Sequence, residues 1–490
     1  MNTSELQGKM WKATKWATIT EIAAKLVSPI TNMILARILM PEAFGVVATI
    51  SMIISFADMF TDAGFQKYLI QHEFENEKEK YQSTTVAFWT NLGISSFLWV
   101  VITIFSESIA TIVGNPGLGN VIAVSCMQLP LTSFSSIQIA LYKRDFDFRT
   151  LFLVRVVSLC IPLAITIPLA LLGFSYWALI IGTICGHLSN AVMLTYKSKW
   201  KPTLYFDIII LKKMSSFSMW SFVEAISIWL SAWVDTLIIG SVLASYYLGL
   251  YKTSLNMVNA LMTVVTASII PILFSTLSRL QSDHISFEKF FYKVQGLVAY
   301  LLFPMGFGLY LYSDVVTLVM LGEQWSEASF IIGVWGLTSS VMIVFSDLNS
   351  ECYRAKGMPK LSFFLQIIHL AFLIPSCIIA LRFGFDILVY VRALIRFQLM
   401  ITSLFIMQFV LHIPIKGIII RVLKPVFFSI VMGLVALCLR QISTSLIWNL
   451  VFIMICAFIY AVMVLIFAKE DFLWVLDTIN IKKQNGVQKK

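Results

Sequence analysis

Apolar residues in this chain come in runs of about twenty, separated by short breaks that hold the charges and turn residues. A bilayer core of about 30 Å needs about 20 mostly apolar helical residues per crossing. On that pattern the first helices are predicted near 14–37, 44–68, 84–109, 119–141, 150–172 and 176–196. A second group is predicted near 214–240, 248–277, 292–313, 329–353, 361–381 and 386–411, with two more near 419–439 and 446–468. The expected fold class is therefore all-α: a polytopic membrane protein with about 14 transmembrane helices. No break is long enough for a separate soluble domain. Lys9, Lys12 and Lys15 ahead of an apolar stretch resemble a signal peptide. Glu21 and Lys25 interrupt that stretch and no small-residue cleavage site follows, so a retained first helix is expected.

The distribution of positive charge is an independent check on these breaks. Of 36 Lys and Arg, 28 fall in or at the edges of alternate breaks or at the two termini, and only Arg37, Arg382 and Arg440 fall at the intervening helix ends. The remaining five, Lys25, Arg155, Lys252, Arg392 and Arg396, lie within spans. Positive charge collects on the cytoplasmic side of membrane proteins, which predicts that both termini are cytoplasmic. One helix more or fewer would spoil the alternation.

Composition narrows the class further. Hydrophobic residues make up 59% of the 490 and charged residues 13%. The mean hydropathy is +0.85. A soluble domain carries about 25% charged residues, so an ordinary cytosolic enzyme, a disordered chain and a disulfide scaffold are excluded. The net charge of +10 follows from topology and does not call for a nucleic-acid partner. The seven cysteines all sit in apolar runs without a CxxC, and the five histidines form no HExxH, so no metal site is expected. There is no Walker A sequence to hydrolyse a nucleotide. The short outer breaks, such as Gly173-Phe174-Ser175-Tyr176, count against an enzyme.

A short repeat links the two halves. Residues 38–45, containing Pro41 and Gly45, match 242–249, ending in Leu248-Gly249, at an offset of 204, and Glu21 and Glu224 are offset by 203. Six spans separate the copies, so they run in the same direction as parallel repeats. The expected division is an N-lobe over 1–196, a basic cytoplasmic linker over 197–213 and a C-lobe over 214–411. Two further helices over 412–468 and a cytoplasmic tail over 469–490 complete it.

Charge inside a bilayer costs at least about 2.5–3.5 kcal/mol and normally faces a cavity or a partner. Glu21, Lys25, Ser28 and Asn32 form one helical stripe, as do Ser51, Ser55, Asp58 and Asp62. Ser221, Glu224, Ser231 and Asp235 form another; Asp347 and Glu351, and Arg392 and Arg396, lie one turn apart. Glu21 and Lys25 either neutralise each other or meet a ligand. Asp58 either bridges helices or faces a cavity. Arg392 and Arg396 repel each other with no acid nearby on their helix, so they either bind an anion or pair with an acid of another span.

The run Leu35-Ala36-Arg37-Ile38-Leu39-Met40-Pro41-Glu42-Ala43-Phe44-Gly45 resembles the first-loop motif of bacterial polysaccharide flippases. Phe56 to Gly64 followed by Leu69-Ile70-Gln71 is similar to the second helix of that family. Tyr142-Lys143-Arg144, Asp235 to Gly240, Leu248-Gly249-Leu250-Tyr251, Pro271 to Gln281 and Gly322-Glu323-Gln324-Trp325 also fit, so the likeness covers roughly residues 10–360. The resemblance implies the fold shared with multidrug and toxin extrusion transporters: two six-helix lobes in a V plus two C-terminal helices. It implies that undecaprenyl-diphosphate-linked oligosaccharide is carried across the cytoplasmic membrane for capsule, exopolysaccharide or O-antigen synthesis. A polysaccharide polymerase and chain-length machinery are the implied partners, and membrane lipid the surroundings. The role of meeting the diphosphate would fall on Lys25, Arg392 and Arg396. Glu21, Asp58, Glu224, Asp235 and Asp347 are the cavity or coupling acids, for H+ or Na+ if an ion drives transport; no other cofactor is expected. The rival readings are a cation-coupled drug exporter of the same fold and a membrane polysaccharide polymerase or ligase.

Overall fold

The computed structural model describes residues 16, 19–20, 27–61, 65–215, 219–469 and 471, with side chains for all of these except 215, 219–225 and 359. Every regular element among them is helical. Contacts divide the chain into two compact units, Met1–Lys252 and Thr253–Lys490.

The first unit contains α1 (residues 27–38), α2 (Pro41–Thr61), α3 (Phe65–Gln71), α4 (Glu77–Ile104) and α5 (Ser106–Ile112). It continues with α6 (Gly119–Ser125), α7 (Gln128–Arg144), α8 (Phe148–Leu171), α9 (Tyr176–Lys197), α10 (Ile208–Ser215) and α11 (Met219–Val242). The first turns of α12 (Ser245–Arg279) close it. The second unit holds the rest of α12, α13 (His284–Leu311), α14 (Ser313–Met320), α15 (Ser329–Met342), α16 (Leu348–Ala355) and α17 (Pro359–Leu381). It ends with α18 (Phe385–Phe409), α19 (Ile415–Arg440) and α20 (Leu446–Phe467).

Twelve helical segments among the described residues are long and apolar enough to cross a membrane, and α11 adds the shorter apolar stretch Ile226–Val242. The predicted first span, 14–37, lies partly outside the described residues, together with Glu21, Lys25 and the more distal Asp62. Fourteen therefore stands as an expectation, with twelve candidate spans among the described residues. Helices suit this solvent because each satisfies its own backbone hydrogen bonds. Their outer faces are apolar: α20 exposes Met454, Phe458 and Leu465, which is stable only where hydrocarbon replaces water.

Polar residues start the helices and tie their ends. Asn76 Oδ1 accepts from Glu79 N at 2.8 Å to begin α4, and Asp147 Oδ1 accepts from Thr150 N at 3.1 Å to begin α8, each satisfying an orphan amide. At one end of the first unit Arg144 Nη1 donates to Leu69 O and His72 O, both at 2.7 Å, capping α3, while its guanidinium lies 4.7 Å from the Phe74 ring. Tyr81 Oη and Trp89 Nε1 donate to Lys201 O and Thr203 O at 2.6 and 2.7 Å. The basic stretch 197–213 is thereby fastened to this unit, and Trp200 joins a buried cluster with Phe65, Leu69, Phe88 and Met214.

Glycine governs the opposite end of this unit. A Cβ on Gly45 would lie 1.8 Å from Ser245 O, and one on Gly249 1.8 Å from Pro41 O. The matched motifs of the sequence repeat thus touch each other, backbone on backbone, in a reciprocal crossing of the first turns of α2 and α12. Gly114 has φ +75° and a Cβ there would lie 1.8 Å from Gly240 O. Asn115 joins the same end, donating to Thr49 Oγ1 at 3.3 Å and accepting from Ser245 Oγ at 2.5 Å.

The second unit repeats the arrangement. Lys356 Nζ donates to Gln281 O at 2.9 Å, and Tyr292 Oη to Pro414 O at 2.8 Å, at its basic end. At its other end Arg440 Nη2 bonds Asp314 Oδ2 at 2.5 Å, and its Nη1 donates to Leu311 O. Breaks assigned to the same side by their charge therefore meet within each unit.

Candidate functional site

Three helices of the second unit surround a cavity of about 170 Å³. From α12 come Asn259, Met262, Thr263, Thr266 and Ile270, spaced three or four apart on one face. The opposite wall is Ser339 on α15, Ile343 and Asp347, and Arg396 of α18 completes it. Between α15 and α16 the helix widens into a π turn over Ile343–Asp347. Such turns insert a residue into an α-helix and recur at functional sites. Asp347, its last residue, is exposed to the cavity.

Arg396 is held from two directions. Its Nη1 donates to Ser339 Oγ at 3.0 Å and Thr338 Oγ1 at 3.4 Å. Its guanidinium carbon lies 4.1 Å from the centroid of the Trp335 ring. Arg392, one turn earlier and 8% exposed, lies 5.5 Å from the same centroid. Two like charges on one helix are thus set against one electron-rich indole, an attraction worth about 0.5–2 kcal/mol per cation. Trp335 is itself buried, and its Nε1 has no hydrogen-bond acceptor among the described residues. The result is a polar recess of opposite charges inside an apolar helical unit, able to take an anionic group at the guanidinium and a cation or proton at Asp347.

The structure thus places Arg396 and Asp347 on one cavity, and Arg392 against the Trp335 ring that Arg396 also meets. Asp235, by contrast, is 2% exposed in the first unit and engaged on several sides. It accepts from Tyr251 Oη and from Thr236 N, both at 2.7 Å, and lies 4.0 Å from Lys252 Nζ. Lys252 also stands 4.4 Å over the Trp233 ring. Asp58 is half-buried on α2, one turn after Ser55, whose Oγ accepts from Trp229 Nε1 of α11 at 3.0 Å. Glu224 is in α11, but its side chain, like Glu21 and Lys25 entirely, lies outside what the structure describes. Glu351 pairs with Arg354 at 2.9 Å on its own helix and stays out of the cavity.

Reading the sequence missed Trp335, Ser339 and the α12 face. The available signal was chemical: two arginines one turn apart inside a membrane need an electron-rich or anionic neighbour, and Trp335 is an aromatic residue of another predicted span. Among the described residues no group of three His, Cys, Asp or Glu could hold a metal.

A chain with twelve helices long and apolar enough to span a bilayer, and with charged residues lining a cavity among them, is a multi-pass membrane protein. Residues 34–330 match the family model described as polysaccharide biosynthesis protein, and the chain belongs to that family. It is 26% identical over 327 residues to the succinoglycan biosynthesis transport protein ExoT of Rhizobium meliloti, an alignment covering 67% of this chain and 65% of that one. It is 22% identical over 380 residues to the lipopolysaccharide biosynthesis protein WzxC of Escherichia coli, covering 76% and 75%. Among solved structures it shares the fold of the lipid II flippase MurJ in an inward closed conformation. That match has a TM-score of 0.71 at 16% identity over 92% of this chain and 98% of that one.

Proposed function

We propose that this chain is a flippase that moves undecaprenyl-diphosphate-linked oligosaccharide across the bacterial cytoplasmic membrane by alternating access, supplying surface polysaccharide synthesis. The observation that carries the reading is that Arg396 and Arg392 both stand against the Trp335 ring while Asp347 lines the same cavity as Arg396. A diphosphate and a hydrated glycan cannot enter hydrocarbon without replacement of their water. Guanidinium groups match phosphate oxygens through paired N–H donors, which a lysine at the same place does not. Membership of the polysaccharide biosynthesis family and the fold shared with MurJ support the same cargo class. Within this reading Asp347 is the acid placed to bind a coupling proton or sodium ion, because it shares a cavity with the cargo-binding arginine.

The test is export in a strain lacking the native gene. Arg392→Ala with Arg396→Ala is expected to abolish surface polysaccharide while membrane levels of the protein stay normal, and Arg396→Lys to restore only part of it. Normal surface polysaccharide in the double variant would remove the assigned site.

A further inference from the structure

The π turn over Ile343–Asp347 lies on the wall of the Arg396 cavity. Ser339, Ile343 and Asp347 line that cavity at intervals of four residues. A regular α-helix turns about 100° per residue, so a residue eight positions on lies about 80° round the axis. On such a helix Ser346, about 20° from Ser339, would take the cavity place and Asp347 would point aside. In the turn itself Leu348 N donates to Ile343 O, five residues back. An i→i+5 turn holds more residues and rotates by less at each, which keeps Asp347 in line with Ser339. Asp347 is accordingly exposed, while Ser346 is only 6% exposed.

An inserted residue interrupts the i→i+4 ladder, and inside a bilayer main-chain carbonyls have no water to turn to. Two fully buried carboxamides reach this turn. Gln295 Nε2 of α13 donates to Val344 O at 3.1 Å. Asn349 Nδ2 donates to Phe345 O at 2.6 Å and to Ser403 Oγ of α18 at 3.1 Å. Ser403 Oγ also lies 2.7 Å from Tyr353 Oη, so the turn is tied to two neighbouring helices. Neither carboxamide oxygen meets a donor among the described residues. An unpaired buried acceptor costs free energy, and methionine would fill the space of Gln295 without one. What these two side chains contribute is therefore their N–H groups, aimed at the turn.

We propose that Gln295 and Asn349 are positioning residues, which hold the π turn and thereby present Asp347 to the cavity it shares with Arg396. Gln295 is the principal clamp, because it grips the turn from a separate helix. The use of Asp347 in transport rests on the flippase reading. The placement of its side chain does not, and the two are tested apart.

The experiment is thiol labelling of the purified full chain in detergent with a water-soluble maleimide, read peptide by peptide so that the native cysteines do not interfere. The reporters, introduced singly, are Asp347→Cys, Ser346→Cys and, on the opposite wall, Asn259→Cys. With Gln295 and Asn349 in place, position 347 is expected to react at least fivefold faster than position 346. Gln295→Met, which keeps the length and removes the donor, should slow labelling at 347 several-fold, speed it at 346, and leave 259 unchanged. Asn349→Leu removes the other donor and should move 346 and 347 in the same directions, so either variant suffices where the other fails to fold. Loosened packing alone would speed all three positions. Equal labelling at 346 and 347 in the unaltered background overturns the proposal, as do labels that stay unchanged in both variants or rise together with 259. No cargo enters this measurement, so the export phenotype of the Arg392 and Arg396 variants judges the flippase reading separately.

Discussion

The reciprocal glycine crossing in the first unit gives a sharp mechanical prediction. In Gly45→Ala the new Cβ would fall 1.8 Å from Ser245 O and 3.0 Å from Gly249 N. Both neighbours are backbone, so no rotamer change relieves the overlap. Real Cβ atoms essentially never approach closer than 3.0 Å, so the first turns of α2 and α12 must separate by about 1.2 Å or more. Overpacking of this kind costs about 1–3 kcal/mol, which lowers the melting temperature by several degrees. Gly249→Ala meets Pro41 O at the same 1.8 Å and should cost as much. The two costs should not add: one separation of the helices relieves both overlaps, so the double variant should melt close to either single one. Gly93→Ala is the control, since a Cβ there meets nothing within 4 Å. Greater helix propensity should leave that variant neutral or slightly stabilised. The assay is thermal unfolding of the four purified variants in detergent against the unaltered chain. Equal stability of Gly45→Ala and Gly93→Ala, or fully additive losses in the double variant, would refute the crossing as the pin of this end.

Other outcomes follow from single contacts. Tyr251→Phe removes the hydroxyl that donates to buried Asp235 at 2.7 Å; a cost of about 1–3 kcal/mol in thermal stability is expected, and an unchanged melting point would count against the brace. Asp283 begins α13, and hydrogen bonds from the Ser286 side chain and then its backbone amide hold its carboxyl below the usual range. Because the folded pKa is depressed, the cap stabilises the helix start at pH values above the unfolded aspartate pKa of about 3.9 and is lost as pH falls through the folded value. Hydrogen exchange in the first turn of α13 should therefore accelerate on acidification, and Asp283→Asn should flatten that dependence. A first turn whose exchange ignores pH after correction for intrinsic rates would rule the cap out.

Much of this architecture was legible because a bilayer imposes a length scale on hydropathy. The predicted span 361–381 appears as Pro359–Leu381, and 446–468 as Leu446–Phe467. Charge alternation anticipated which breaks meet, as the bonds from Arg144 to α3 and from Lys356 to Gln281 illustrate. The site was only half legible. Periodicity places Arg392 and Arg396 on one face but cannot say that Trp335 lies beneath them, since that contact joins two helices. Nor does any local pattern announce the π turn that ends at Asp347. Asp235 is the converse case: its polar stripe on α11 is visible in the sequence, but the groups that engage it, Tyr251 and Lys252, come from the first turns of α12. The 204-residue repeat was visible only as two short matches, yet its two copies of the glycine motif prove to be in contact.

The first unit is therefore fastened unlike at its two ends. Where α2 meets α12, main chain rests on main chain with no side chain between to flex. At the basic end, long-range bonds from Arg144, Tyr81 and Trp89 hold the loops, and each can rotate, lengthen or exchange with water. A body clamped stiffly at one end and softly at the other behaves as a lever with its fulcrum at the stiff end. Any strain reaching this unit should thus appear as displacement that grows along the helices away from Gly45 and Gly249, towards the loops that Arg144, Tyr81 and Trp89 hold.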